Sequence, residues 1–173
     1  MLAESLPQNT LIYIMSPGLS PSWTTLRLNG SGLWVIDGTS TEYTTPLPEG
    51  QAFMVSRPSG STSPTFTGPV GNDGSSELTL QQGYNIIGIS EGKTLAASSV
   101  FESASPVGSF DETLADQIVI LNSNGSWRRL IRRPSGIWYD TANPNASGNT
   151  SMTLTPGQGY YYLRRSSSTD MNF

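Results

Sequence analysis

Short apolar runs alternate with turn residues along the whole chain, and their length and spacing predict strands. The runs are 10–15 (TLIYIM), 23–28, 33–36, 52–55, 77–80, 84–89, 117–121, 127–131, 137–139, 151–154 and 159–163. Each is rich in β-branched or aromatic residues and is bounded by Gly, Pro, Asn or Ser, the mark of strands joined by tight turns. Helical periodicity is nearly absent, with 111–116 (DETLAD) offering one turn at most. The pattern predicts an all-β fold, an antiparallel β-sandwich or barrel.

A repeat organises these strands. Ser22-Trp23-x-x-Leu26 and Ser31-Gly32-Leu33-Trp34 recur as Ser126-Trp127-x-x-Leu130 and Ser135-Gly136-Ile137-Trp138, at an offset of 104 residues (127 − 23). Upstream, 11–14 (LIYI) aligns with 117–120 (QIVI), and downstream Leu47 to Phe53 aligns with Leu154 to Tyr160 at an offset of 107 (157 − 50). The three extra residues fall in the loop 142–150 (ANPNASGNT). Two related modules follow, an incomplete one over 1–58 and a second over 116–173, with connecting strands in 59–115 available to both.

Each module reads as an apolar strand, a hairpin with a Ser-Gly turn, a polar loop and a closing aromatic strand. The eleven-residue spacing between the tryptophans of each hairpin is expected to set both on one sheet face. Packing is the plain role for Trp23, Trp34, Trp127 and Trp138, and a sugar-stacking platform the functional one. Tyr160 and Tyr162 point one way in their strand and Tyr161 the other, so one face must offer tyrosine to solvent or to a partner. The middle segment holds a candidate arm at 66–70, a turn Asn72-Asp73-Gly74 and the run 84–89, which is continuous enough to be buried on both faces.

The ordered phrases Phe66-x-Gly68-x-Val70, Leu80-x-x-Gly83-Tyr84-Asn85-Ile86-Ile87-Gly88, Asp116-Gln117-Ile118, the Trp hairpin and Leu154-x-Pro156-Gly157-x-Gly159-Tyr160 resemble a β-repeat module of large secreted bacterial surface proteins. That module opens on "L..GWNLI" and closes on "L.PG.GYW". The resemblance spans 66–165 as a whole module and 10–57 as one without its opening strands; Tyr84 stands where Trp or Phe is usual. It implies an extracellular or cell-surface, β-rich structural or adhesive part. A first module without its opening strand leaves an open sheet edge, to be closed by the middle segment or by a neighbouring subunit.

Composition narrows the chemistry. The 173 residues include no His and no Cys, which removes Ser-His-Asp and Cys-His nucleophiles, thiolate or imidazole metal sites and disulfides. Charged residues make up 13%, about half the usual share, and 26 Ser and 18 Thr supply most of the polarity, as in secreted β-proteins. Residues 1–10 contain Glu4 and Pro7 and no apolar run, so no signal peptide is expected there, and no segment approaches a membrane span.

The charges are sorted along the chain: seven acids against Lys93 over 73–116, then six Arg against Asp140 over 117–168. Arg128, Arg132 and Arg164 are therefore candidates for an acidic polysaccharide, for the acidic segment of another copy, or for internal partners among Asp111, Glu112 and Asp116. Nucleic acid fits poorly with a pI of 4.6 and almost no Lys. Asn-Asp-Gly with Glu77 is first a turn and only remotely a calcium loop, and Asp111 and Glu112 are adjacent, so on a strand they face opposite ways. No enzyme, no metal and no cofactor is expected. The expected function is a structural protein that associates with copies of itself or mediates adhesion. The alternative is a carbohydrate-binding module using Trp23, Trp34, Trp127, Trp138, Tyr160 and Tyr162.

Overall fold

Four strands of alternating burial build the first sheet: β1 (Leu11–Ser16), β2 (Ser22–Leu28), β3 (Trp34–Ile36) and β4 (Met54–Ser56), in the order β3-β2-β1-β4. They belong to a computed structural model that describes residues 6–46, 50–58, 77–88, 95–122, 124–142 and 153–172. Ile12, Ile14 and Leu26 share one face of this sheet and pack with Trp34, Tyr43, Phe53 and Val55. The outer edge of β3 is covered by its own chain, with Tyr43 N–H bonded to Trp34 O and Ile36 N–H to Thr41 O.

The second sheet is made of β6 (Gly83–Gly88), β8 (Gln117–Leu121), β9 (Trp127–Arg132), β10 (Trp138–Asp140) and β12 (Gly159–Arg164), in the order β10-β9-β8-β12-β6. Two small ladders complete the described structure: β7 (Leu95–Ala96) with β11 (Thr153–Leu154), and β5 (Glu77–Leu80) with β13 (Thr169–Asn172). A six-residue helix, α1 (Ala97–Glu102), follows β7. Val100 and Phe101 of α1, with Leu80, Leu154 and Met171 of the ladders, seal the inner face that carries Ile87, Ile118, Ile120, Leu130, Trp138, Tyr160 and Tyr162. Side chains of this size contribute roughly 1.5–3 kcal/mol each on burial, so this is the larger of the two cores. The expected all-β antiparallel architecture holds.

The two sheets match in register as well as in order. Leu11↔Arg27, Leu26↔Ile36 and Leu11↔Ser56 in the first have as counterparts Gln117↔Ile131, Leu130↔Asp140 and Gln117↔Leu163 in the second. In a period-two element a slip of one residue would turn every side chain over, so matched register puts corresponding residues on corresponding faces.

Strand β6 joins the sheets. One edge runs antiparallel to β12 over six residue pairs, from Gly159↔Gly88 to Arg164↔Gly83. The other edge meets the first sheet: Gly18 and Tyr84 exchange both N–H···O bonds at 2.8 Å, Ala52 N–H reaches Ile86 O at 3.4 Å, and Gly88 N–H reaches Gly50 O at 2.8 Å. These bonds reach the residues that follow β1 and precede β4, and β4 itself stays the terminal strand of its sheet. Where β1 and the 50–52 segment diverge, Gln51 Nε2 donates to Met15 O at 2.8 Å and fills the gap in the ladder. Ile87 of β6 enters the inner core, while Ile86 joins Met15, Ala52, Met54 and Tyr161 in a third cluster drawn from both sheets. Within the described part of the apolar run, 84–88, Ile86 and Ile87 are therefore buried on opposite faces, while Tyr84 is exposed.

Several expectations change. The two tryptophans of each hairpin lie on opposite faces, because the ladder pairs even positions with even ones (Leu28↔Trp34, Arg132↔Trp138) and the tryptophans differ in parity. Helix α1, β7 and β13 have no counterpart in the sequence pattern: α1 has six residues, and its N-terminus lacks a side-chain cap. Segment 111–116 forms a turn and no helix. The arm 66–70, the turn 72–74 and most of the insertion at 142–150 lie outside the described residues.

Gly83 is where the crossing is tightest. Its φ is +99°, and a Cβ there would collide with the carbonyl of Gly18. Gly83→Ala is expected to cost about 1–3 kcal/mol, a fall of roughly 3–10 °C in Tm. Gly32→Ala, at φ +77° with open space around it, should lose clearly less. Equal losses in calorimetry would show that the approach of Gly18 does not require glycine.

Candidate functional site

The inner face of the second sheet takes up most of the expected binding residues. Trp138 is buried, edge-on to Phe101 at 5.7 Å and to Tyr162 at 6.4 Å. Tyr160 is buried too, its hydroxyl accepting Thr155 N–H at 2.6 Å and donating to Gln158 Oε1 at 3.0 Å. Tyr162 stacks on Phe101 at 4.8 Å and donates to Asp116 Oδ2 at 2.5 Å. These three are core residues, and no ligand can stack on them. Trp34 is half-buried in the core of the first sheet.

The arginines have internal partners as well. Arg128 Nε lies 2.7 Å from Asp140 Oδ2, and Arg132 Nη2 lies 2.5 Å from Glu102 Oε1 with its guanidinium over the Trp138 ring. Arg164 is buried and donates to Ser167 O and Ala104 O, both at 2.7 Å. Arg129 pairs with Glu112 at 2.9 Å, Arg133 donates to Phe110 O at 3.0 Å and covers the Tyr139 ring, and Arg165 donates to Ala115 O at 3.2 Å. All six arginines of 117–168 are engaged within the chain, which corrects the reading of Arg132 and Arg164 as surface contacts. Arg128 is the most accessible of the three candidates, but its charge is matched by Asp140.

Two of the candidate acids also have internal partners. Buried Asp116 accepts the Tyr162 hydroxyl and, at 2.7 Å, the backbone N–H of Arg165. Asp111 caps its turn by accepting Thr113 N–H at 2.8 Å and Thr113 Oγ1 at 2.7 Å, bonds that hold its carboxyl below the usual range. Among the described residues no three potential metal-ligating side chains come together, and no helix is long and apolar enough to cross a membrane.

Several large apolar side chains remain at the surface. On the outer face of the second sheet Trp127 is 55% exposed, and its cross-strand partner Leu121 is exposed beside it. Tyr161 meets the Trp127 ring edge-on at 5.7 Å, and its hydroxyl lies 3.1 Å from Met54 Sδ of the first sheet. At the corresponding place in the first sheet Trp23, 41% exposed, sits opposite Met15. In the turn after α1, Phe110 and Leu114 are 80% and 59% exposed. Of the candidates, then, Trp23 and Trp127 stand at the surface. Tyr161 lies on the face opposite to Tyr160 and Tyr162, as alternation requires, and Leu121 is the addition that the Asn-Gly turn of the 121–127 hairpin signals. Phe110 and Leu114 carried no strand signal and were passed over as turn residues.

No family model, no curated protein and no solved structure matches this chain.

The Tyr162–Asp116 pair gives the fold a pH dependence. Burial first, then the neighbouring carboxylate, raises the Tyr162 phenol well above the usual tyrosine range. With the folded pKa raised, the stabilisation is complete below the unfolded value near 10 and is lost as pH climbs beyond it. Chemical denaturation as a function of pH should therefore show stability falling above about pH 10. Tyr162→Phe should flatten that limb while costing about 1–3 kcal/mol at neutral pH, because Asp116 loses a donor. An unchanged alkaline limb in the variant would assign it to another group.

Proposed function

We propose that this chain is a non-catalytic structural protein of the cell exterior, secreted or surface-displayed, whose work is contact: association of copies and adhesion. The observation that carries this reading is that all six arginines of 117–168 are engaged within the chain while large apolar side chains are left at the surface. Phe110 and Leu114 are the clearest case. Their turn is fixed by the Asp111 cap and by Arg133 holding Phe110 O, so two exposed apolar groups are presented on a preorganised support. The carboxylates best suited to acid–base work, Asp111 and Glu112, already cap a turn and pair with Arg129. The extracellular assignment draws on the Ser/Thr-rich, cysteine-free composition and on the resemblance to secreted surface modules. Matched strand order and register support reading the chain as two copies of one unit, with β6 common to both.

Sedimentation velocity across a wide concentration range tests the association arm. The wild-type mass should rise with concentration, and Phe110→Ser combined with Leu114→Ser should hold the protein at monomer mass with an unchanged thermal unfolding curve. A wild-type protein that stays strictly monomeric would remove self-association from the reading.

A further inference from the structure

Trp23 and Trp127 occupy corresponding positions in the two sheets, and both flank the cluster in which the sheets meet. Trp127 leans on Tyr161, Trp23 faces Met15 across its ladder, and Met15 and Tyr161 pack in that one cluster with Met54, Ala52 and Ile86. The result is an apolar strip crossing the joint, buried at Met15, Ala52 and Ile86 and half-buried at Met54 and Tyr161, with a half-exposed indole on either side. Tyr161 is itself held by Met54, so the Trp127 ring has a fixed support beneath it. From this we infer that the strip is a binding platform for an uncharged polysaccharide, held at two points by Trp127 and Trp23.

The chemistry of the strip selects that ligand. A pyranose ring offers a C–H face that packs against an indole, and hydroxyls at its rim that need hydrogen-bonding partners. Half-buried Thr25 shares the strand face of Trp23, and exposed Asn124 and Ser126 lie in the turn before Trp127, so small polar groups lie near both rings. An acidic polymer would need unpaired cations. Arg27 on the Trp23 face is 3.1 Å from Asp37, and Arg129 on the Trp127 face is 2.9 Å from Glu112, which leaves each pair neutral. Two indoles separated by a shared cluster suit a linear polymer, because holding one sugar raises the effective concentration of others near the second ring. The inference shares the contact reading proposed above but uses residues other than Phe110 and Leu114.

Affinity electrophoresis of the full chain in native gels tests it. The gels would contain galactomannan, hydroxyethylcellulose or amylopectin as neutral probes, and alginate or polygalacturonate as acidic ones. At least one neutral polymer should retard the protein and acidic ones should not. Trp127→Ala or Trp23→Ala should each weaken retardation about tenfold, with unfolding curves like the wild type. Trp34→Phe, inside the first core, should leave retardation unchanged. Retardation by acidic polymers alone, retardation indifferent to both alanine variants, or none in any gel would overturn the proposal. So would a concentration-dependent mass abolished by Trp127→Ala, since the strip would then be covered by a second copy. Sedimentation of the Phe110/Leu114 variant reads the contact proposal separately, so either can fail alone.

Discussion

A β-strand has two hydrogen-bonding edges, and Gly83–Gly88 has both of its edges engaged, one by each sheet. Most of the architecture depends on this. The strand's apolar side chains are covered on both faces as well, alternation sending Ile87 into one core and Ile86 into another. Contact between the sheets then has to be close, which is why Gly83 and Gly18 meet without side chains and why Gln51 spends its amide on a backbone carbonyl at the fork. The cluster at the joint follows from the same crossing, and the exposed indoles beside it follow from the matched registers.

Charge is used with similar economy. Few ionisable groups are present, and the arginines of the second half tie together parts of the chain distant in sequence: Arg132 holds α1 through Glu102, Arg129 holds the 110–114 turn through Glu112, and Arg164 reaches Ala104. The exposed Arg129–Glu112 pair contributes little, about 0–1 kcal/mol. The buried Tyr162–Asp116 hydrogen bond is costlier to break, since removing either partner leaves the other desolvated. Two of the segregated arginines thus pair with acids of the preceding segment, Arg129 with Glu112 and Arg132 with Glu102, and others hold backbone carbonyls.

The strands were legible because their signal is local. Alternation and turn residues mark 117–121 to the residue and most others to within two. The ladder order of the hairpins followed from their turns. The faces of the paired tryptophans did not, because the parity of a hairpin depends on where its ladder closes, and Asn29↔Leu33 closure fixes that here. Helix α1 was invisible for a different reason: six uncapped residues have no periodicity to detect, and they are helical because Val100 and Phe101 are needed over Trp138 and Tyr162. The candidate site was half legible. Aromatic residues were the right residue types, but a sequence ranks a buried Tyr162 and an exposed Trp127 alike, and burial by partners from far along the chain decides between them.

The doubly paired strand also sets the order in which this chain can be completed. Its partners lie at Gly18 and at 50–52 on one side and at Gly159–Arg164 on the other, so its ladders close over long sequence separations in both directions. During synthesis the first sheet can form its own ladders early, yet Gly83–Gly88 gains its longer ladder only when the last strands emerge. Until then an apolar strand with an open edge has to be kept from pairing elsewhere, a requirement that makes folding of this chain slow and late-cooperative. The two halves, alike in plan, lend their edges to one strand.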